Sequence, residues 1–257
     1  MTYIDTHTHV WSAFSPFVQN PRYTPAYTKT MAMLFSEMES AQVDKAVLVQ
    51  PSYLGTDNQY LLSMLELWPE RLRGVAVVEP TIEEDAFRKM VEAGVKGVRF
   101  NLVGHPNPAD ILNGANDHLF SLLKRYDCHL EIQMPGQSWV KLLEPLLARG
   151  LTVVADHFGL PEKNGCATID VLDAGLKSDQ LWIKLSGPYR FKADPAPVAA
   201  RFAATALDRL LWGSDFPWTQ HEAGRTYTGS VTLLRDWLGD GADQVLGENA
   251  TKCFNFD

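Results

Sequence analysis

The chain has 257 residues, of which 46% are hydrophobic and 21% are charged. This composition is typical of a globular protein and excludes a disordered or fibrous one. The 31 acidic residues outnumber the 23 basic residues, so the formal net charge is −8. Because nucleic acids and anionic membranes bind basic surfaces, we expect neither of them as a partner.

The cysteines and the N-terminal segment indicate the compartment. Cys128, Cys166 and Cys253 are odd in number and lack CxxC spacing, which argues against a disulfide framework and against a cysteine-based metal site. The first residues contain no basic region followed by an apolar stretch, and no run of 18 apolar residues follows. We therefore expect a cytoplasmic protein.

Short apolar or β-branched runs alternate with longer segments of helical periodicity. Eight strands are predicted, at residues 3–7, 45–50, 72–78, 97–101, 129–133, 151–156, 181–185 and 210–214. Helices are predicted at residues 30–41, 58–68, 82–93, 120–126, 139–148, 169–177 and 197–207, with a final helix at 248–254. Eight strand–helix units without a linker favour a (β/α)8 TIM barrel, an α/β fold that forms a single domain over residues 1–257.

Polar residues cluster at the predicted ends of three strands, where an α/β barrel places its chemistry. His7 and His9 end the first strand, His157 follows the sixth, and Asp215 follows the eighth. His7 and His9 are two residues apart, so we expect both to point into the mouth of the barrel. Each residue alone has an ordinary structural explanation, whereas the combination predicts a catalytic site.

At these positions the sequence resembles the amidohydrolase superfamily, and within it the 2-pyrone-4,6-dicarboxylate lactonase-like branch. The resemblance rests on three ordered motifs, DTHTH at residues 5–9, DH at 156–157 and WGSDFP at 212–217. It covers essentially the whole chain, and the ordered set is far more specific than an HxH pattern alone. It implies a TIM-barrel hydrolase that acts in the breakdown of aromatic compounds.

The resemblance also implies the catalytic roles. Asp215 is expected to act as the general base on water, while His7, His9 and His157 surround the carbonyl oxygen under attack. Hydrolysis of an ester requires such a base near the water and hydrogen-bond donors where the oxyanion forms. The implied reaction is the opening of a carboxylated lactone, so the expected partner is a small lactone or carboxylic acid.

The same constellation allows a metal-dependent alternative, because its side chains are good ligands for zinc or manganese. The candidate ligands are His7, His9, His157 and Asp215. A binuclear site is disfavoured, since Arg99 ends the fourth strand where a carbamylated lysine would be needed, and Gln133 is a poor zinc ligand. We expect no cofactor, with one divalent Zn or Mn ion as the alternative. The alternative functions are a metal-dependent decarboxylase, another metal-dependent hydrolase of the superfamily, and a barrel that binds a sugar or an acid without turnover.

A second set of residues is expected to bind the substrate and to make the pocket cationic. This set comprises Tyr23, Tyr53, Arg99, His105, Gln133 and Arg190. In the lactonase branch, arginines and a tyrosine hold the carboxylates, and Tyr23, Arg99 and Arg190 match them. His105 replaces a second arginine of the strand-4 loop, and Gln133 replaces a tyrosine. Because a neutral histidine weakens one anionic contact, a lactone with one carboxylate is an alternative substrate.

Two further expectations concern the surroundings of the site. The irregular segment of residues 11–30 follows the first strand and should lie over the mouth of the barrel. His118, His129 and His221 have no strand-end position, so we interpret them as core or surface residues without a role in the reaction.

Overall fold

A computed structural model describes residues 1–256 of the chain. One sheet contains eight parallel strands in sequential order. They are β1 (Ile4–Thr8), β2 (Lys45–Val49), β3 (Leu72–Ala76), β4 (Val95–Asn101), β5 (His129–Gln133), β6 (Val153–Ala155), β7 (Leu181–Leu185) and β8 (Leu210–Trp212). The predicted (β/α)8 barrel is confirmed.

Helices follow the strands along the chain. They are α1 (Met31–Ser40), α2 (Gln59–Leu67), α3 (Glu84–Glu92), α4 (Asp117–Arg125), α5 (Gly136–Ala148), α6 (Ala167–Gly175), α7 (Pro195–Ala206), α8 (Tyr227–Leu238), α9 (Ala242–Leu246) and α10 (Glu248–Phe254). No helix within residues 1–256 is long and apolar enough to cross a membrane.

The barrel closes where the chain beyond β8 lies beside β1. The amide of Asp215 donates to the carbonyl of His7 at 2.9 Å, and the amide of His9 donates to the carbonyl of Phe216 at 2.8 Å. A parallel bridge joins Thr8 to Phe216. This closure fixes the backbone of the predicted general base directly beside His7 of β1 and His9, which follows β1.

Successive side chains of the strands alternate between the outer and the inner face of the barrel, and apolar side chains pack on both faces, as expected for a barrel with helices outside. The larger group lies between the strands and the surrounding helices. The smaller group lies inside the barrel at the end opposite the site, and α10 covers it. Its buried members are Ile4, Val47, Val49, Val75, Val154, Trp182, Leu211, Ala250, Phe254 and Phe256. The predicted final helix is therefore confirmed, and it closes the lower end of the interior.

The structure corrects the prediction in several places, among them the missed helix α9 (Ala242–Leu246). Helix α8 was missed, because Gly229 in its first turn and its β-branched residues weaken the helical pattern. It begins where the Thr226 hydroxyl accepts from the amide of Gly229 at 3.0 Å. Helix α5 begins at Gly136, three residues before the predicted start, and β8 ends at Trp212, two residues before the predicted end.

The segment between β1 and α1 lies over the mouth of the barrel, as expected. The amide of Val18 donates to the carbonyl of Tyr53 at 2.9 Å, and the amide of Trp11 donates to the carbonyl of Lys29 at 2.7 Å. Arg22 and Tyr23, in the middle of this segment, line the cavity above the strand ends.

Candidate active site

The structure brings together the four predicted catalytic residues. The ring centre of His7 lies 4.9 Å from that of His9 and 4.8 Å from that of His157. The Oδ1 atom of Asp215 lies 3.9 Å from Nε2 of both His7 and His9. His9, His157 and Asp215 line the cavity, whereas His7 is fully buried directly beneath it.

The cavity above these residues has a volume of about 420 Å³, and its wall contains more positively than negatively charged side chains. Its wall contains three guanidinium groups, from Arg22, Arg99 and Arg190, and one carboxylate, from Asp215. Such a wall favours an anionic ligand, because the guanidinium group binds carboxylates through paired hydrogen bonds.

Five of the six predicted substrate-binding residues line this cavity. They are Tyr23, Tyr53, Arg99, Gln133 and Arg190. His105 does not: its amide donates to the carbonyl of Leu102 at 3.1 Å, in a turn that leads the chain away from the cavity. The His105 side chain is exposed, and its Nδ1 accepts from the amide of Asn107 at 3.2 Å.

Asp215 has one occupied and one free carboxylate oxygen. Its Oδ2 accepts from Nε of Arg190 at 2.5 Å and from the hydroxyl of Tyr189 at 2.7 Å. Among the described residues, nothing hydrogen-bonds Oδ1. Burial alone would raise the pKa of Asp215, but the charge of Arg190 and the neighbouring imidazoles outweigh it, so the pKa lies well below its usual value. Arg190, which we expect to bind substrate, thus also pairs with Asp215.

The imidazoles of His9 and His157 are held uncharged at neutral pH. Burial, reinforced by Arg99, lowers the pKa of His9 to about 4, and burial also lowers the pKa of His157 to about 4. The Nδ1 atom of His9 lies 2.7 Å from the carbonyl oxygen of Val49. A carbonyl only accepts, so this nitrogen carries the proton and Nε2 of His9 presents a lone pair. His157 Nδ1 contacts the hydroxyl of Ser186 at 2.9 Å, which can donate or accept.

Beneath the histidines lies a buried ionic network that the sequence reasoning did not identify. Lys184 Nζ lies 2.5 Å from Oε2 of Glu131 and 3.2 Å from Nδ1 of His7. Arg99 Nε donates to Oδ2 of Asp156 at 2.9 Å. Burial would raise the pKa of Asp156, but His7, Arg99 and Lys184 lower it well below its usual value. The sequence feature that could have indicated this network is a charged residue inside a predicted strand of mostly apolar residues. Lys184 and Glu131 both have such a position.

The sequence reasoning missed two further lining residues. Arg22 lines the cavity and donates through Nη1 to the carbonyl of Val103 at 2.7 Å. His221 also lines the cavity, with its ring centre 5.0 Å from that of Tyr189, although it has no strand-end position. Both residues lie on irregular loops, so their distance in sequence from a strand end does not predict that they reach the cavity.

The donor atoms of the site fit one divalent cation in number and type. Potential ligand atoms of His7, His157 and Asp215 lie within 4.8 Å of one another. The Nε2 atom of His7 and Oδ1 of Asp215 are both buried without a hydrogen-bond partner in the described part of the chain. A second group, formed by His7, Glu131 and Asp156, already contacts the ammonium of Lys184.

Comparison with known proteins identifies the class. An amidohydrolase family model matches residues 4–256, so this chain belongs to the amidohydrolase family, and the resemblance stated from the motifs is confirmed.

Individual relatives define the branch more closely. The chain is 27% identical over 237 residues to a 2-pyrone-4,6-dicarboxylate hydrolase of Comamonas testosteroni, covering 83% of this chain and 76% of that protein. It is 27% identical over 228 residues to a 4-sulfomuconolactone hydrolase of Rhizobium radiobacter, covering 83% of this chain and 75% of the relative. A crystal structure from Acinetobacter baumannii, described as a probable 2-pyrone-4,6-dicarboxylic acid hydrolase with citric acid bound, superimposes with a TM-score of 0.91 at 31% identity over 100% of both chains.

Proposed function

We propose that this protein is a hydrolase that opens a carboxylated lactone by attack of water on the ester carbonyl. The observation that carries the proposal is the free Oδ1 of Asp215, which faces imidazole nitrogens in a cavity with three guanidinium groups. The relatives named as lactone hydrolases support the same class of reaction.

The attacking water is assigned to the space between Asp215 and His9. Oδ1 of Asp215 and Nε2 of His9 are both acceptors and lie 3.9 Å apart, so one water can donate a hydrogen to each. The water oxygen then presents a lone pair to the carbonyl carbon. As the new C–O bond forms, Asp215 takes the proton and the carbonyl π electrons move to the oxygen. This gives His9 an acceptor role, in place of the oxyanion contact that the sequence indicated.

The tetrahedral intermediate then collapses with cleavage of the ring C–O bond. His7 and His157 flank the position of the oxyanion and stabilise it as hydrogen-bond donors. The leaving ring oxygen takes the proton that Asp215 received from water. The net change is the addition of one water to one lactone, which yields an open-chain carboxylic acid with a new hydroxyl or enol group, and the acid then ionises by releasing a proton to solvent.

The substrate class follows from the guanidinium groups. Arg99 and Arg190 each have an internal carboxylate partner, whereas Arg22 stands at the rim and is free to pair with a ligand. The citric acid bound by the Acinetobacter relative is a multiply charged carboxylate, which supports an anionic ligand here. We therefore propose a lactone with one or more carboxylates.

The metal-dependent alternative is favoured by one observation, the convergence of ligand atoms described above. A bound zinc or manganese ion would be held by His7, His157 and Asp215, and it would supply a water acidified to a pKa near 7. This arrangement would suit a decarboxylase or a metal-dependent hydrolase.

The test is a turnover assay on 2-pyrone-4,6-dicarboxylate, a monocarboxylated lactone and an uncharged lactone, with and without a chelator. We expect turnover of the carboxylated lactones that persists in the chelator. The variant Asp215→Asn should lower kcat by about 10²- to 10⁴-fold, whereas the exposed control Asp208→Asn should retain it. Loss of activity in chelator with recovery on adding zinc would favour the metal-dependent alternative, and full activity of Asp215→Asn would refute the general-base assignment.

A further inference from the structure

Lys184 occupies an unusual place for a lysine, because its side chain is fully buried inside the barrel. Its ammonium contacts Oε2 of Glu131 at 2.5 Å, Nδ1 of His7 at 3.2 Å and Oδ1 of Asp156 at 3.8 Å. A buried charge of this kind is costly unless it is paired. The steps proposed for hydrolysis assign it no role.

The buried network has balanced charge only when His7 is neutral. It contains two cations, Lys184 and Arg99, and two anions, Glu131 and Asp156. A neutral imidazole carries a single N–H, on either Nδ1 or Nε2. The Nε2 atom of His7 faces Asp215. It is an acceptor in one tautomer and a hydrogen-bond donor in the other.

In the first tautomer, Nδ1 of His7 carries the proton and Nε2 presents a lone pair. That state suits a metal ligand, since histidines that bind metals donate their other N–H to a carboxylate or a carbonyl. In the second tautomer, Nε2 carries the proton and can donate to an oxyanion. The group opposite Nδ1 decides between the two states.

We propose that Lys184 is a positioning residue that holds His7 in the Nε2–H tautomer. The ammonium group has only hydrogens to offer, so its contact with Nδ1 is attractive only when Nδ1 is the acceptor. His7 thereby becomes an oxyanion donor and a poor metal ligand. His9 is held in the opposite tautomer by the carbonyl of Val49, so one histidine accepts from water while the other donates to the carbonyl oxygen.

Two carboxylate oxygens also approach Nδ1 of His7, but neither of them forms a hydrogen bond with any group in residues 1–256. Oδ1 of Asp156 lies 3.2 Å away and Oε1 of Glu131 lies 3.5 Å away. Arg99 binds the other oxygen of Asp156 at 2.9 Å, and Lys184 binds the other oxygen of Glu131. Without Lys184, the carboxylates of Asp156 and Glu131 would be the remaining neighbours of Nδ1, and either would favour the metal-binding tautomer.

The direct test is ¹⁵N NMR of the metal-free wild-type protein with labelled histidine, with the His7 signals assigned by their loss in His7→Gln. We expect a protonated Nε2 and an unprotonated Nδ1 for His7, and the reverse for His9. Protonated Nδ1 in His7 would overturn the proposal. This measurement requires no substrate, so it tests the His7 tautomer even if the protein turns over no lactone. The oxyanion role of the N–H rests on the proposed function, and absent turnover would refute that function alone.

The second test removes the ammonium together with its carboxylate partner, in the variant Lys184→Met/Glu131→Leu. Replacing both charges with apolar residues of similar size avoids leaving a buried carboxylate unpaired. We expect the His7 proton to move to Nδ1, the affinity for zinc measured by calorimetry to increase by about 10- to 100-fold, and kcat to fall with little change in KM.

The exposed control Lys192→Met should match the wild type in all three measurements. An unchanged tautomer and unchanged zinc affinity in the double variant would show that Lys184 does not control His7. If the double variant does not fold, the wild-type spectrum alone decides the tautomer.

Discussion

The two ends of the barrel interior are built from the same eight strands but hold opposite kinds of side chain. At the upper end, Lys184, Arg99, Glu131 and Asp156 form a buried ionic network beneath the histidines. At the lower end, apolar side chains of the strands pack against α10. Burial of charge costs free energy, whereas burial of apolar area supplies it. The upper end therefore holds charged groups beside the cavity at a cost in stability, whereas the lower end contributes stability.

The two ends touch at more than one point, and one of these contacts involves Lys184. The ammonium of Lys184 lies 5.7 Å from the centre of the Phe254 ring, which belongs to α10. An aromatic face attracts a cation at this distance. The lower end therefore also helps to position the lysine that we assign to control of His7.

The largest expected effect comes from a cavity at the lower end. Leu211 is fully buried there, so Leu211→Ala should lower the free energy of unfolding by about 2–5 kcal/mol. We expect kcat of the folded enzyme to stay within about twofold, because transition-state contacts are unchanged. Chemical denaturation and steady-state kinetics provide the measurements. The control Leu67→Ala, at a side chain that is 62% exposed, should change stability by less than about 0.5 kcal/mol. A large loss of kcat in Leu211→Ala would contradict the division between the two ends.

The same division explains what could be predicted from the sequence. The strands and the catalytic residues at their ends were found because strand order in a barrel brings those ends together. Lys184 and Glu131 were missed because they lie within strands, where the pattern predicts packing. Their partners come from different strands, at positions that only the barrel geometry brings into contact. The tautomers of His7 and His9 likewise depend on Val49 and Lys184, far away in sequence.

The second prediction concerns pH, and it applies to the upper end. Burial lowers the pKa of His157 to about 4 from 6.5, so between these values the unfolded chain binds more protons than the folded one. Its contribution to stability is therefore complete above pH 6.5 and is lost as the pH falls toward 4. The difference corresponds to about 3 kcal/mol for this histidine. Asp5, whose pKa burial raises to about 6, contributes a slope of opposite sign, so only the difference between variants isolates the histidine.

The measurement is denaturant unfolding of the wild type and His157→Gln at pH 7 and at pH 4. The variant should lose about 3 kcal/mol less than the wild type over this range. The exposed His118→Gln serves as the control and should follow the wild type. Parallel losses in all three proteins would show that the buried imidazole is not the source of the acid sensitivity.

The smallest expected effect concerns Arg22, the cation of the cavity wall that is not paired inside the protein. Within residues 1–256, no carboxylate lies in ion-pair distance of Arg22, whereas Arg99 and Arg190 pair with Asp156 and Asp215. Burial and the positive charges of Arg99 and Arg190 lower the pKa of Arg22, and an anionic ligand would relieve this repulsion. The loop of residues 11–30 thus supplies a cation beside the strand-4 loop, where Arg22 donates to the carbonyl of Val103.

We therefore expect Arg22→Met to raise KM for a dicarboxylated lactone by about tenfold, with kcat changed by less than about twofold. KM for a monocarboxylated lactone should rise less if its single carboxylate is held by Arg99 and Arg190. Arg88→Met, at a helix surface away from the cavity, is the matched control and should leave both KM values unchanged. Equal KM values for Arg22→Met and the wild type on both substrates would show that the rim guanidinium does not bind substrate. A fall in kcat without a rise in KM would instead place Arg22 among the residues that act in the transition state.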